Sequence, residues 1–182
     1  YATHDSVVKF MGAGYSPFQL IFFSVLFGFP LALGMMIRDT NPGTLLPVHP
    51  WWMALRTGAA VLTGITAFYA FSVLPLAQVY AIVFATPLII TILAIPVLGE
   101  VVRIRRWLAV LVGLGGVLVV IRPGQANLEW GHLAALIAAF GGAVASIIVR
   151  KIGAEERPVV LLIYPMVANF AVVAVALPFV YV

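Results

Sequence analysis

The feature that most constrains this chain is a long segment without charge. From Thr57 to Gly99 no side chain carries a formal charge, and the strongest interruption is the Leu74-Pro75-Leu76 corner. An α-helix rises about 1.5 Å per residue, so each half, with a few flanking residues, can cross a hydrocarbon layer of about 30 Å. The segment therefore predicts two membrane-spanning helices joined by a tight turn.

Composition leads to the same class of protein. With 64% hydrophobic and 9% charged residues and a mean hydropathy of +1.15, the chain has too few polar groups to cover a water-soluble surface. The net charge of +4 comes from basic residues gathered at the ends of apolar segments. That placement is typical of membrane topology and argues against nucleic-acid binding. The sequence has no cysteine, which excludes disulfides and thiolate metal sites.

Apolar segments between charged loops predict six spans after the remnant of a first one. We number the remnant, Tyr1 to Met11, as span one. Spans two to seven are then Pro17 to Ile37, Trp51 to Ser72, Ala77 to Leu98, Trp107 to Ile121, Gly131 to Val149, and Pro158 to Val182. Lipid offers no partner for unpaired backbone groups, so the fold class is an all-α, polytopic transmembrane helical bundle. The short span one and the end within an apolar run lead us to expect a fragment of a longer protein.

The basic residues predict the orientation of the spans. One side, formed by the loops after spans two, four and six with the adjoining helix ends, holds Arg38, Arg56, Arg103, Arg105, Arg106, Arg150, Lys151 and Arg157. The other side holds only Lys9 and Arg122. Because cytoplasmic loops are enriched in lysine and arginine, the first side is predicted to be cytoplasmic.

A weak internal repeat relates the two ends of the chain. Residues separated by 141 positions match in several places, including Gly12 with Gly153, Pro17 with Pro158, and Phe29 with Phe170. The matched segments lie five spans apart, so they have opposite orientations in the membrane. Inverted repeats are characteristic of secondary transporters, whose substrate site lies near the midplane between the repeats.

The segment from Leu74 to Gly124 contains a specific set of motifs. They are Leu74-Pro75, the mid-helix Pro87, Gly99-Glu100, Arg105-Arg106-Trp107, Gly113 with Gly116, and Arg122-Pro123-Gly124. This set resembles the EamA-like branch of the drug/metabolite transporter superfamily. The resemblance implies ten spans in two five-span repeats, with residues 1–124 as the first EamA-like repeat, truncated in its N-terminal helix, and residues 125–182 as the start of the second. It also implies a bacterial cytoplasmic (inner) membrane protein.

Four residues of span four suggest a substrate-binding face. Tyr80, Phe84, Pro87 and Thr91 are spaced by four, three and four positions, which places them on one side of a helix. A tyrosine, an aromatic ring, a kink and a hydroxyl together suit a cavity for an amphipathic metabolite. The alternative is an aromatic stripe that packs against other helices or faces lipid.

Two further groups extend this candidate site. On span three, Thr66, Tyr69 and Ser72 share a face and either line the cavity or make hydrogen bonds between helices. In span one, Asp5 is a candidate proton or substrate site because an acid at membrane depth is costly. Its alternative is a hydrated residue paired with Lys9 at helical spacing. We expect the cavity between spans one, three and four.

Other residues predict structure only. Glu100 beside Arg103 at a cytoplasmic helix end is interpreted as a helix cap or a salt-bridge residue. Small residues in spans five and six predict seams where helices approach closely. They are Gly113 and Gly116 in span five, and Ala138, Gly142 and Ser146 in span six.

The sequence contains no motif of a hydrolase, a metalloprotease or a P-loop nucleotide site, so neither an enzyme nor a cofactor is expected. The predicted function is a secondary transporter that exports small organic metabolites, such as amino-acid-like or nucleoside-like compounds or drugs, by alternating access. The alternative is a non-transporting membrane scaffold or assembly subunit. The expected partners are the metabolite and the lipid bilayer, with a homodimer left open and nucleic acid excluded. Residues 1–182 alone are expected not to transport, because the second repeat is incomplete.

Overall fold

The computed structural model describes residues 17–38, 44–121 and 129–180. Within these ranges the chain is helical and has no strand, which confirms the predicted all-α transmembrane bundle. Span one, with Asp5 and Lys9, lies outside the described residues. The helices of the described ranges are α1 (Pro17–Arg38), α2 (Pro50–Val73), α3 (Leu76–Val83), α4 (Thr86–Leu98), α5 (Ile104–Ile121), α6 (Trp130–Ile152) and α7 (Pro158–Val180).

Among the described residues, four segments are long and apolar enough to cross a membrane. They are Pro50–Val73, Leu76–Leu98, Trp130–Ile152 and Pro158–Val175. Phe22–Ile37 is a shorter apolar helix. Helices α1, α2, α5, α6 and α7 correspond to predicted spans two, three, five, six and seven, and the Leu74-Pro75 corner joins α2 to α3 as predicted.

Span four remains a single kinked span, Leu76–Leu98, as predicted, and its kink is one irregular turn. The structure divides it into α3 and α4, with a break at Phe84 and Ala85. Pro87 lies in the first turn of α4, and without an N–H group it cannot donate to the carbonyl of Val83. The Ala85 amide instead donates to the Ile82 carbonyl at 2.9 Å, a tighter turn than the α-helix makes. The proline therefore makes one turn of the span irregular, while Phe84 and Ala85 keep right-handed helical dihedral angles.

Helix α6 lies at the centre of the described structure and packs against α2, α3 and α4. It approaches α2 closely at Gly141. A Cβ atom there would lie 2.5 Å from the Thr63 hydroxyl oxygen and 3.1 Å from the Ala59 carbonyl oxygen, so only glycine fits without movement. Helices of a membrane bundle commonly use such small residues to approach closely.

The predicted small-residue seams are partly wrong. Ala138 is buried as expected, but Ser146 is exposed and Gly142 leaves room for an ordinary contact, because the helix turns Gly141 rather than Gly142 toward α2. In α5, a Cβ atom at Gly113 would lie 3.0 Å from the Leu88 side chain of α4, which confirms that seam. A Cβ atom at Gly116 would have no described neighbour within 4 Å.

Two hydrophobic clusters hold the ends of α6 to its neighbours. The inner cluster, nearer the arginine-rich end, consists of Met53, Ala94, Ile147, Ile148, Ile152 and Val160. The outer cluster, nearer the Leu74-Pro75 corner, consists of Ala70, Leu74, Val79, Ile82, Ala134 and Ala135. The inner cluster includes a residue of α4 and the outer cluster includes residues of α3, so the two parts of span four are anchored separately.

Polar contacts gather three loops at one end of the bundle. His49, before α2, donates its backbone N–H to Glu156 at 2.7 Å, and its ring nitrogen Nε2 lies 2.5 Å from Glu155. Arg150, at the end of α6, donates to Glu100 at 2.5 Å. These are the loops that the basic residues predict to share one side. Glu100 has the predicted structural role, although its partners are Arg150 and Arg106 rather than Arg103.

Helices α1 and α7 lie side by side. The Phe22 and Phe170 rings are stacked with centroids 5.2 Å apart, and the Phe29 ring meets Phe170 edge-on at 5.8 Å. A Cβ atom at Gly28 would lie 3.3 Å from Met166. Phe170 thus contacts two rings of α1 that lie about two helical turns apart.

Candidate functional site

Three aromatic rings meet at the irregular turn of span four. Tyr80 of α3 stacks on Phe84 with centroids 5.9 Å apart and an interplanar angle of 24°. Phe71 of α2 meets Tyr80 at 5.9 Å and 69°, an edge-to-face arrangement. We call these three residues the aromatic cluster. The structure thus brings together two of the predicted site residues and adds Phe71.

Phe71 was missed by the sequence analysis, although a signal for it exists. The Leu74-Pro75 corner folds the end of α2 back onto the start of α3. Aromatic residues that flank such a corner at similar distances, as Phe71 and Tyr80 do, are therefore brought together. The helical spacing used for the prediction compares residues of one helix only, so it could not detect this pair.

The aromatic cluster presents an accessible ring. Phe84 is 71% exposed, and Tyr80, on which it stacks, is half-buried. Pro87 is exposed as well. Aromatic rings favour offset stacking with other flat rings, and a tyrosine adds one polar group. This arrangement can bind a planar, partly apolar molecule.

The predicted hydroxyl groups bind carbonyls within their own helices. The hydrogen bonds are Thr66 to Leu62 at 2.7 Å, Ser72 to Tyr69 at 2.8 Å, and Thr91 to Pro87 at 2.9 Å. Hydrogen bonds between helices, the alternative considered for span three, are therefore wrong for Thr66 and Ser72. Because each hydroxyl proton is already used, these oxygens can act toward a ligand only as acceptors.

The structure does not unite the whole predicted set. Asp5, which was expected to complete the cavity, lies outside the described residues. The exposed Tyr69 is on α2, but the α2 ring that meets Tyr80 is Phe71. Thr91 lies on α4, beyond the irregular turn at Phe84 and Ala85, and is not part of the aromatic cluster. Span six, as α6, packs against spans three and four.

His132, in the first turn of α6, is a buried polar residue that the sequence analysis did not select. The Glu129 backbone N–H donates to its Nδ1 atom at 3.2 Å. Nε2 is buried and has no hydrogen-bond partner among the described residues. His132, Glu129, Trp130, Leu133 and Leu136 line a groove of about 350 Å³. No group of three metal-ligating side chains occurs in the described ranges.

Arg56 places a guanidinium group inside span three. Its Nη1 donates to the Leu161 carbonyl of α7 at 2.5 Å. That carbonyl would ordinarily accept from the residue four positions later, but this residue is Pro165, which has no N–H. The arginine therefore satisfies a carbonyl that a proline has left free, and it ties α2 to α7.

Comparison with known sequences identifies a family that this chain matches. The sequence model of the EamA-like transporter family matches residues 1–122. The S-adenosylmethionine uptake transporter of Rickettsia bellii (strain RML369-C) is 27% identical over 172 residues, covering 94% of this chain and 58% of that protein. The riboflavin transporter of Rhizobium johnstonii (strain DSM 114642 / LMG 32736 / 3841) is 28% identical over 148 residues, covering 80% of this chain and 46% of that protein.

The chain thus spans about half the length of the curated relatives it matches. No solved structure is significantly similar to it. The matched family and the names of the relatives indicate a transporter and not an enzyme, which agrees with the expectation from the sequence. Because the family model covers most of the chain, this integral, multi-pass membrane protein belongs to the EamA-like transporter family.

Proposed function

We propose that this chain forms part of a secondary transporter in the bacterial cytoplasmic membrane that carries small organic metabolites with a planar heterocycle. The observation that supports this most directly is the aromatic cluster at the irregular turn in span four, where Phe84 exposes its ring and Tyr80 stacks on it. Two relatives are named for S-adenosylmethionine and riboflavin, and both of these compounds contain a flat nitrogen heterocycle.

The physical basis of the proposal is stacking beside an irregular helical turn. Stacking of a nucleic-acid base on an aromatic side chain contributes about 1–3 kcal/mol. A break within a span also exposes backbone groups, and such breaks are tolerated where protein or a water-filled cavity surrounds them. Phe84, at the break, would supply the ring, while Val83 supplies a carbonyl without its usual helical donor.

Transport itself would proceed by alternating access between two inverted repeats, residues 1–124 and the repeat that begins at residue 125. The contact between Phe29 and Phe170 supports this arrangement. These residues occupy matching positions of the two repeats. A two-fold axis relates inverted repeats, and two matching residues can be in contact only if both lie close to that axis. The site would then lie on both sides of that axis.

The direction of transport is the finer part of the proposal. The sequence analysis predicts export, whereas four Rickettsia relatives are named as uptake transporters. A carrier that works by alternating access is reversible, and its net flux follows the substrate and ion gradients. Both directions therefore have to be measured.

The test is a flux assay with the full-length protein in proteoliposomes, using radiolabelled S-adenosylmethionine, riboflavin and a panel of amino acids, loaded inside or outside. We expect saturable flux of at least one heterocyclic compound. Phe84→Ala and Tyr80→Ala should each reduce that flux about tenfold, the equivalent of about 1.4 kcal/mol of lost stacking. Membrane insertion should be unchanged.

The matched control is Phe27→Ala, because Phe27 of α1 is 75% exposed, close to the value for Phe84, and lies outside the aromatic cluster. Its flux should equal that of the unmodified protein. An equal loss of flux in Phe27→Ala and Phe84→Ala would show that the aromatic cluster contributes only to packing. Absence of flux for every compound would instead favour the alternative of a non-transporting scaffold.

A further inference from the structure

We propose that a groove at the predicted cytoplasmic end binds the headgroup phosphate of an anionic phospholipid. The groove has a volume of about 530 Å³ and lies between the α4–α5 loop, the first turn of α5 and the end of α6. We call it the arginine groove, and its lining residues are Glu100, Val101, Arg103, Arg105, Arg106 and Arg150. This proposal does not depend on the proposed function.

The charge of the arginine groove is the first argument. Four arginines face one glutamate, and both oxygens of Glu100 are already engaged, one by Arg150 at 2.5 Å and one by Arg106 at 3.5 Å. Arg103 and Arg105 have no acidic partner among the residues that the structure describes. The groove therefore keeps a surplus of positive charge, and guanidinium groups bind phosphate through paired N–H donors.

The groove is also held in place before any ligand binds. The pair between Arg150 and Glu100 links the end of α6 to the α4–α5 loop. The backbone N–H groups of Arg106 and Trp107 both donate to the Arg103 carbonyl, which fixes the turn into α5. The positive end of the α5 dipole points to the same place and adds to the attraction for an anion.

The surface next to the groove identifies the kind of anion. Val101 is 91% exposed and Ile104 is 72% exposed, and Leu108, Leu111 and Val112 continue an exposed apolar face along α5. A soluble phosphate has no apolar part, so it would make no favourable contact with this face. A phospholipid matches both parts, because its phosphate suits the arginines and its acyl chains suit the apolar side of the helix. Basic pockets on the cytoplasmic side of membrane proteins bind lipid headgroups in this way.

The test measures lipid binding to the delipidated full-length protein in detergent by native mass spectrometry. Dioleoyl phosphatidylglycerol is compared with dioleoyl phosphatidylcholine, which has the same acyl chains but no net charge. We expect phosphatidylglycerol to bind at least tenfold more tightly. The preference should disappear in Arg103→Gln/Arg105→Gln and should largely remain in Arg103→Lys/Arg105→Lys, which keeps the charge.

Four outcomes would overturn the proposal. One is equal binding of the two lipids. Another is an unchanged preference in the double variant Arg103→Gln/Arg105→Gln, provided that its melting temperature shows it to be folded. If that variant does not fold, the unmodified protein is tested in 0.5 M NaCl instead. A preference that persists at this salt concentration would then overturn the proposal. The third is displacement of the lipid by equimolar glycerol 3-phosphate, which would assign the groove to a soluble anion. A dimer whose formation requires Arg103 and Arg105 while no lipid binds would likewise assign the groove to a second copy of the chain.

Discussion

Among single residues, Arg56 has a role that follows from two residues of α7, Leu161 and Pro165. A charged side chain inside a span is costly, and this one is retained where Pro165 has removed the helical donor of the Leu161 carbonyl. The stabilising effect of Arg56 should therefore depend on the proline. If an N–H group were restored at position 165, the Leu161 carbonyl would have a donor within α7. Arg56 would then contribute less to the stability of the protein.

A double-mutant cycle tests this dependence. Arg56→Gln should destabilise the protein, since a hydrogen bond to a charged group contributes about 1.5–3 kcal/mol. In a Pro165→Ala background the same change should cost less by about 1 kcal/mol, because the alanine N–H now satisfies Leu161. Thermal unfolding of the full-length protein in detergent measures all four variants. Equal losses in both backgrounds would show that Arg56 acts independently of the freed carbonyl.

Contacts between residues that are close in sequence could be predicted, whereas contacts between different helices could not. Phe84 follows α3 directly and keeps helical spacing from Tyr80, so the prediction that the two share a face is borne out by their stacked rings. The partner of Arg56 could not be predicted, because it depends on how α2 and α7 are rotated against each other. His132 was missed for the same reason. Near the end of a span a histidine suggests an interfacial residue, and only the packing of α6 shows that it is buried.

At the level of helices, Gly141 is one of the positions where α6 approaches α2 closely. Gly141→Ala would place a methyl group 2.5 Å from the Thr63 hydroxyl and 3.1 Å from the Ala59 backbone. One of these groups can rotate but the backbone cannot, so the helices must separate. Overpacking of this kind costs about 1–3 kcal/mol. We expect a lower melting temperature in detergent for the Gly141→Ala protein.

Gly142 provides the matched control one position along the same helix. A methyl group there would lie 3.8 Å from Thr63, an ordinary contact. Alanine also favours helix by about 1 kcal/mol over glycine, so Gly142→Ala should be neutral or stabilising. If the two variants melt at the same temperature, the close approach at Gly141 is not what determines the α2–α6 contact.

The helices were predicted more accurately than the way their faces meet. Hydropathy placed the spans well, because their length and composition follow from the lipid environment alone. The seam on span six was predicted at Gly142 and is found at Gly141, since adjacent small residues leave the rotation of a helix undetermined by spacing. Span four was predicted as one kinked helix, and it is found as one kinked span with an irregular turn.

For the molecule as a whole, the polar contacts at one end make the topology testable. The loops before α2, after α4 and after α6 lie together through His49, Glu100 and Glu155, while Glu129 precedes α6 at the opposite end. A cysteine at Ala154 should therefore react only with reagents that reach the cytoplasm, and one at Glu129 should react from outside. Both positions are exposed, and residues 1–182 contain no native cysteine.

Labelling is measured in intact cells with membrane-permeant and impermeant maleimides, in a full-length protein freed of any other cysteine. The reverse pattern, with Ala154 labelled from outside, would invert the orientation that the basic residues predict. Labelling of both positions from the same side would contradict the structure itself, because α6 would then not cross the membrane.

The separate anchoring of the two parts of span four has a mechanical consequence. Helix α6 is continuous and is gripped near one end by the outer cluster through α3 and near the other end by the inner cluster through α4. Between the two clusters lies the irregular turn at Phe84 and Ala85, where Pro87 removes one helical hydrogen bond. Each half of the span is therefore fastened to α6 by its own set of apolar contacts, so the loss of one cluster would leave the contacts of the other in place.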